Sequence, residues 1–182
     1  MKIMVTGDQG YIGGVLVAML TDKGYEVVGY DAGFFTENLL LPLKENYTKI
    51  KKDIRDINKN DLKGVEAIIH LAGLSNDPLG EFSPKLTEDI NYNGTMRLAE
   101  LAKECGISRF VYASSQSMYG ISDTSDELDE DDSVKNPITA YAIAKWNAEQ
   151  KLHAMSTDEF VVTSFRPSTV FGASPRLRCD IV

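Results

Sequence analysis

The stretch that decides the fold is Val5-Thr6-Gly7-Asp8-Gln9-Gly10-Tyr11-Ile12-Gly13, which carries three glycines at the spacing GxxGxxG. An apolar run, residues 3–6, precedes it and a helical pattern, residues 12–23, follows it. The glycines therefore fall in a strand-to-helix turn, where missing side chains let backbone N–H groups at a helix N-terminus approach a pyrophosphate. Asp31 lies 18 residues beyond Gly13, at the end of the next apolar run. That is close to the ~20-residue spacing of a carboxylate that accepts hydrogen bonds from an adenosine ribose. A 2′-phosphate would be repelled there, and no Arg stands near to offset the repulsion, so the pattern favours NAD as cofactor.

Outward from this unit, Val- and Ile-rich runs alternate with helical patterns, the order of βαβ units around a parallel sheet. Strands are expected at residues 3–6, 26–30, 47–51, 67–71, 110–114 and 161–165, and helices at 12–23, 84–105 and 140–153. Several of the strand runs are nearly continuous in apolar residues, as in strands covered by helices on both faces. Ser83 and Pro84 form an N-cap and first-turn pair, while Gly24 and Gly106 sit where left-handed C-terminal caps belong. The expected fold is an α/β doubly wound parallel sheet of the Rossmann type.

The chain has 182 residues, enough for one such domain, and 43% of them are hydrophobic. Its formal charge is −8, and Asp126, Glu127, Asp129, Glu130, Asp131 and Asp132 alone supply six negative charges. Net acidity argues against nucleic acid as a partner. The acidic run lacks the spaced ligands and glycine of a calcium loop, so residues 120–137 read as a solvated surface loop and no metal site is expected. Cys105 and Cys179 form neither a disulfide framework nor a zinc motif, which fits a reducing, cytoplasmic setting. Thr6 and Gly7 interrupt the apolar N-terminus, and no apolar run of ~18 residues follows, so neither secretion nor a membrane span is expected.

A second constellation lies in the C-terminal half. Tyr141 and Lys145 stand at i, i+4 and so share one helix face. A free tyrosine, with a pKa near 10, is a poor base, and a neighbouring ammonium would lower that value and make proton transfer practicable. By itself the pair also suits a plain surface contact. The 110–114 run, however, leads into Ser114-Ser115-Gln116-Ser117-Met118-Tyr119-Gly120, which puts hydroxyls at the carboxyl end of a strand, where open α/β sheets bind ligands.

With both constellations in place, the chain resembles the extended short-chain dehydrogenase/reductase family, in particular its NAD-dependent sugar-nucleotide epimerases and dehydratases. The ordered matches are Thr6 to Gly13, Asp31, Asp53-Ile54-Arg55-Asp56, His70-Leu71-Ala72-Gly73, Asn91-Tyr92-Asn93-Gly94-Thr95, Ser114 to Gly120, Tyr141 to Lys145, and Arg166-Pro167-Ser168-Thr169-Val170-Phe171-Gly172.

The resemblance implies that Gly7, Gly10 and Gly13 form the cofactor turn and that Tyr11 and Ile12 offer amides to the pyrophosphate. Asp31 would hold the ribose, Asp53 and Ile54 would border the adenine, and Leu71, Ala72 and Gly73 would line the dinucleotide. Asn91, Tyr141, Lys145, Pro167 and Ser168 would surround the nicotinamide and its ribose. Ser115, Tyr141 and Lys145 would form the catalytic set, with Ser75, Ser115, Ser117 and Tyr141 against a nucleotide-sugar substrate.

Family 4,6-dehydratases carry an Asp-Glu pair where Gln116 and Ser117 stand here, which favours an epimerase. The other readings are a one-way NAD-dependent dehydrogenase or reductase of a keto sugar, and a non-catalytic NAD-binding module. The resemblance further implies a small C-terminal substrate domain, largely absent after about residue 172, and a homodimer formed through the helices near Pro84 and Tyr141.

Overall fold

The computed structural model describes residues 1–37, 39–75, 77–121 and 127–178. Six strands form one parallel sheet: β1 (Lys2–Thr6), β2 (Glu26–Asp31), β3 (Thr48–Lys51), β4 (Ala67–His70), β5 (Arg109–Ala113) and β6 (Val161–Phe165). Their order is β3-β2-β1-β4-β5-β6. The chain winds outward from β1 to β3 and then returns to the other side of β1 as β4. The sheet therefore reverses direction between β1 and β4, and a cleft opens outside their carboxyl ends.

Alternate side chains feed two cores, as the two-residue period of a strand requires. Ile3, Val5, Val27 and Ala67 pack against Val17 of helix α1 (Tyr11–Asp22). Met4, Val28, Tyr30, Ile68, Phe110 and Tyr112 face the opposite layer. That layer contains Leu98, Ala99 and Ala102 from one helix and Ala148 and Leu152 from another. Full burial of Leu98 or Leu152 contributes about 1.5–3 kcal/mol. The two layers are uneven, because on the α1 side Phe165 at the end of β6 remains 60% exposed. The short β3 forms one edge of the sheet and carries Lys49 and Lys51, the residue type that disfavours edge-to-edge pairing.

The helix expected over 84–105 is divided into α3 (Pro84–Glu88), a π-helical turn (Asp89–Asn93) and α4 (Gly94–Glu104). The period of the apolar residues runs on through the turn, so sequence spacing did not reveal it. Ser83 occupies the N-cap position, but its side chain makes no capping bond there. Its carbonyl instead accepts from Thr87 N (2.9 Å).

A short helix, α2 (Asp77–Phe82), was not anticipated, since Pro78 and Gly80 lie within it. Helix α5 (Ala140–Met155) has Thr139 as its N-cap, with Thr139 Oγ1 accepting from Ala142 N (3.1 Å). Gly24 and Gly106 adopt the expected left-handed caps, at φ +82° and +73°. Each is followed by a backbone bond that closes the helix, Tyr25 N to Leu20 O (3.1 Å) and Ile107 N to Ala102 O (3.0 Å).

Residues 127–137 contain no helix or strand. Asp129 Oδ1 accepts from Asp131 N (2.9 Å) and Asp132 N (2.6 Å), and so organises the acidic loop locally. Arg166 ties the loop to α5 by donating to Glu130 O (2.7 Å) and to Glu149 Oε1 (2.6 Å from Nη2). Asp126 and Cys179 fall outside the described residues, while Cys105 is a free, exposed thiol. Among the described residues no helix is long and apolar enough to cross a membrane.

Candidate active site

The cleft at the carboxyl ends of the strands encloses about 670 Å³. Its nucleotide end is built from backbone. Gly7 N donates to Tyr30 O (2.8 Å) and Gly10 N to Gly7 O (3.0 Å), which closes the turn tightly against β2. A Cβ on Gly13 would overlap the Gly7 carbonyl oxygen, so the turn and α1 cannot close around any larger residue. Gly10 caps α1 without a side chain, and the first turn holds no acid. The N-terminal amides of Tyr11 and Ile12 thus face the cleft at the positive end of a helix, a site suited to a pyrophosphate.

Asp31 lies beside them, with Oδ1 accepting from Gly33 N (2.7 Å) and Oδ2 from Gln9 N (3.3 Å). This donor set fits NAD: amides for the diphosphate and a carboxylate for a ribose diol. Asp53 and Ile54 also line the cleft. The Asp53 carboxylate is already engaged by Arg55, through Nη2 (2.7 Å), Nε (3.0 Å) and the backbone N (2.9 Å). Those bonds hold its carboxyl below the usual carboxylate range.

Leu71, Ala72 and Gly73 form the wall after β4. Asn91 is the one expected cofactor residue that lies behind the wall rather than in it. It is buried, and its amide is spent on Leu74, with Oδ1 accepting from Leu74 N (2.8 Å) and Nδ2 donating to Leu74 O (2.9 Å). Asn91 lies in the middle of the π-helical turn.

A buried relay missed in the sequence supports the same wall. Thr95 Oγ1 donates to Asn91 O (2.7 Å), which leaves it to accept from His70 Nε2 (2.8 Å). His70 Nδ1 then accepts from Thr6 Oγ1 (2.6 Å), which itself accepts from Ala72 N (3.3 Å). These partners assign a neutral imidazole, and burial pushes its pKa down to about 3, helped by the Lys145 charge. No spacing rule links Thr6, His70 and Thr95; the register of β1 and β4 pairs the first two, and α4 packed on the sheet brings Thr95 to them.

Asp8 is likewise buried, beneath the glycine turn. Its Oδ2 accepts from Tyr47 Oη (2.7 Å), and its Oδ1 has no partner among the described residues. Gly29 makes the room, since a Cβ there would overlap Asp8 Oδ2. Burial raises the Asp8 carboxyl to about 6, the Tyr47 bond opposes the rise, and the Asp31 charge adds to it.

At the opposite end of the cleft the working groups are side chains. Ser115 caps the 3-10 turn Gln116–Tyr119, its Oγ accepting from Ser117 N (3.1 Å) and donating to Ser117 Oγ (3.1 Å). Tyr141 and Lys145 emerge from one face of α5, at 9% and 5% exposure. Lys145 Nζ donates to Ala113 O (2.8 Å) and lies 4.9 Å from the Tyr112 ring centre and 6.0 Å from that of Tyr141. No carboxylate pairs with it among the described residues, and burial lowers its pKa to about 8.

Burial raises the Tyr141 phenol above its ordinary value, the Asp77 charge adds to the rise, and the groups that oppose it are Ser115 and Arg178. Pro167 and Ser168 border the same region, with Gln116 N donating to Pro167 O (3.2 Å), and Ser75 and Ser117 also line the cleft.

A strap unforeseen from the sequence crosses the nucleotide end. Tyr11 Oη donates to Gly172 O (2.6 Å), Ser174 Oγ donates to Tyr11 O (2.7 Å), and Leu40 N donates to Pro175 O (2.8 Å). Arg176 stacks over the Phe35 ring at 3.5 Å.

Comparison with known proteins agrees with this geometry. Residues 3–180 match the model of the NAD dependent epimerase/dehydratase family. A UDP-glucose 4-epimerase of Klebsiella pneumoniae is 34% identical over 131 residues, covering 66% of this chain and 93% of that protein. The chain spans about half the length of other curated relatives that it matches.

Among solved structures, TunA, an NAD dependent NDP-hexosamine 5,6-dehydratase, superposes with a TM-score of 0.85 at 26% identity, covering 96% of this chain and 57% of that one. MoeE5 in complex with UDP-glucuronic acid and NAD gives a TM-score of 0.76 at 30% identity, covering 91% and 54%. The glycine turn, the sheet order and the matched span together place the chain in the NAD dependent epimerase/dehydratase family, with NAD as its cofactor.

Proposed function

We propose that the chain is the cofactor-binding part of an NAD-dependent sugar-nucleotide epimerase in which Tyr141 moves a proton at a sugar hydroxyl. The observation that carries this reading is the meeting, in one cleft, of the uncapped amides of α1, the Asp31 carboxylate and the Ser115, Tyr141 and Lys145 side chains.

NAD, when bound, supplies a reversible hydride acceptor. The amides of Tyr11 and Ile12, in the turn of Gly7, Gly10 and Gly13, would hold its pyrophosphate, and Asp31 its adenosine ribose. Asp53 and Ile54 would border the adenine, Leu71, Ala72 and Gly73 the middle of the dinucleotide, and Pro167 and Ser168 the nicotinamide. Asn91 would act from behind by fixing Leu74.

Ser115 would hydrogen-bond the reacting sugar oxygen, while Tyr141 takes its proton as hydride leaves the same carbon. The proton returns once hydride is delivered to the other face of the transient keto sugar. Lys145, with a pKa of about 8, keeps its charge at neutral pH, and that charge favours the phenolate. Ser75 and Ser117 would contact the sugar. Gln116 and Ser117, in place of an Asp-Glu pair, support epimerisation over 4,6-dehydration. The relatives named for UDP-sugars support a UDP-hexose as the substrate class.

A domain enclosing the sugar would lie outside these residues. We place the enzyme in the cytoplasm, as a homodimer through the faces around Leu86 and Ile143, which are 40% and 42% exposed. The test is interconversion of UDP-hexose epimers by the wild type and by Tyr141→Phe. Loss of turnover in the variant is expected, and unaltered turnover overturns the acid/base role. Net accumulation of NADH would instead identify a one-way dehydrogenase.

A further inference from the structure

Helix α2 makes three contacts that converge on the first turn of α5, the turn that carries Tyr141. Asp77, which begins α2, accepts a hydrogen bond at Oδ1 from Thr139 Oγ1, the N-cap of α5. Glu81, one turn on, accepts from Ala140 N (2.6 Å). Between them Gly80 is buried against the tyrosine, where an added Cβ would lie 3.0 Å from Tyr141 Cβ and 3.3 Å from Tyr141 N. Thr87 Oγ1 holds that stretch of α2 in place by donating to Gly80 O (2.9 Å). Two carboxylates from another element therefore seat the positive end of the helix that bears Tyr141 and Lys145. Of the two, Asp77 also lines the cleft.

We propose that Asp77 is a positioning residue for Tyr141, one that fixes the first turn of α5 through Thr139 and sets a negative charge near the phenol. The proposal rests on Tyr141 being the acid/base group. The charged and titratable groups around that phenol are Asp77 from α2, Tyr112 from β5, Lys145 from the next turn of α5 and Arg178 from the C-terminal segment, with the Ser115 hydroxyl beside them. Burial favours the protonated phenol, Asp77 strengthens that preference, and Ser115 and Arg178 oppose it. Asp77 thus biases Tyr141 toward the form that returns a proton to the sugar oxygen.

The experiment is an NMR titration of the chain with isotope-labelled tyrosine, the Tyr141 signal being assigned by its loss in Tyr141→Phe. Asp77→Asn keeps the shape and an acceptor for Thr139 but removes the charge, and is expected to lower the Tyr141 midpoint by about half a unit to one unit. Asp77→Ser, which removes the charge by another route, shifts it in the same direction, and Asp77→Glu restores it. Thr139→Val is expected to leave the midpoint in place while the amides of Ala140 to Ala142 exchange faster, separating the seat from the charge. An unchanged midpoint in both Asp77→Asn and Asp77→Ser overturns the proposal. Turnover retained in Tyr141→Phe would overturn the acid/base reading instead and leave the titration unaffected, so the two failures are distinguishable.

Discussion

Around Gly7 and Gly13 the groups aimed into the cleft are backbone amides, held by a turn whose glycines leave no room for side chains. Around Tyr141 they are side chains that burial has moved off their ordinary titration, the phenol upward and the Lys145 ammonium down to about 8. The difference explains how an acidic chain can hold an anionic dinucleotide, because helix-end amides attract phosphate whatever the net charge. It also separates binding from chemistry. Substitutions at the glycine turn should act through fold and affinity, and substitutions at α5 through turnover.

The largest effect that would sharpen this contrast is at Tyr141. Tyr141→Phe is expected to lower turnover by about 10²–10⁴-fold, the usual worth of a positioned proton-transfer group, with NAD affinity kept. Rate assays paired with calorimetry check both halves of the statement, and an equal loss of affinity and rate would break the separation. Gly13→Ala comes next. Its methyl group would overlap the Gly7 carbonyl, and a loss of about 2–4 kcal/mol in chemical denaturation is expected, together with loss of NAD binding.

Asp8 sharpens the comparison from the nucleotide side, as a carboxyl buried beneath the backbone-built turn. Its folded pKa of about 6 lies above the ordinary carboxylate value of 3.8. The folded state therefore binds the proton more tightly, and Asp8 costs stability as pH rises through about 4 to 6 and at every higher pH. Asp8→Asn should consequently stabilise the chain at neutral pH by about 1–3 kcal/mol. Melting curves should converge below pH 4, and a gain that is the same at all pH values would contradict the burial argument. The smallest effect is expected from Thr139→Ala, which removes the cap of α5 and should cost about 1 kcal/mol in thermal unfolding.

Much of the fold was legible because it is written locally. Apolar runs located every strand to within one residue, and Gly24 and Gly106 marked two helix ends. The glycine turn, Asp31 and the Tyr141/Lys145 pair were legible for the same reason, since each lies at a short, fixed spacing from an element boundary. The π-helical turn was not, because Asn91 turns toward Leu74 without breaking the apolar period. The Thr6-His70-Thr95 relay, the Asp8-Tyr47 pair and the strap from Gly172 to Arg176 were hidden for another reason. Each joins residues that only the sheet order and the return of the chain bring together. Spacing likewise reveals the nearby ammonium but not the burial that raises the Tyr141 phenol.

Titration of NAD into the wild-type chain and into Asp31→Ala by calorimetry tests most directly the placement of the cofactor against the α1 amides and the Asp31 carboxylate. Saturable binding at one site is expected, weakened by about tenfold, or 1.4 kcal/mol, when the carboxylate is removed. Absence of saturable binding, or equal affinity in the two proteins, would contradict it.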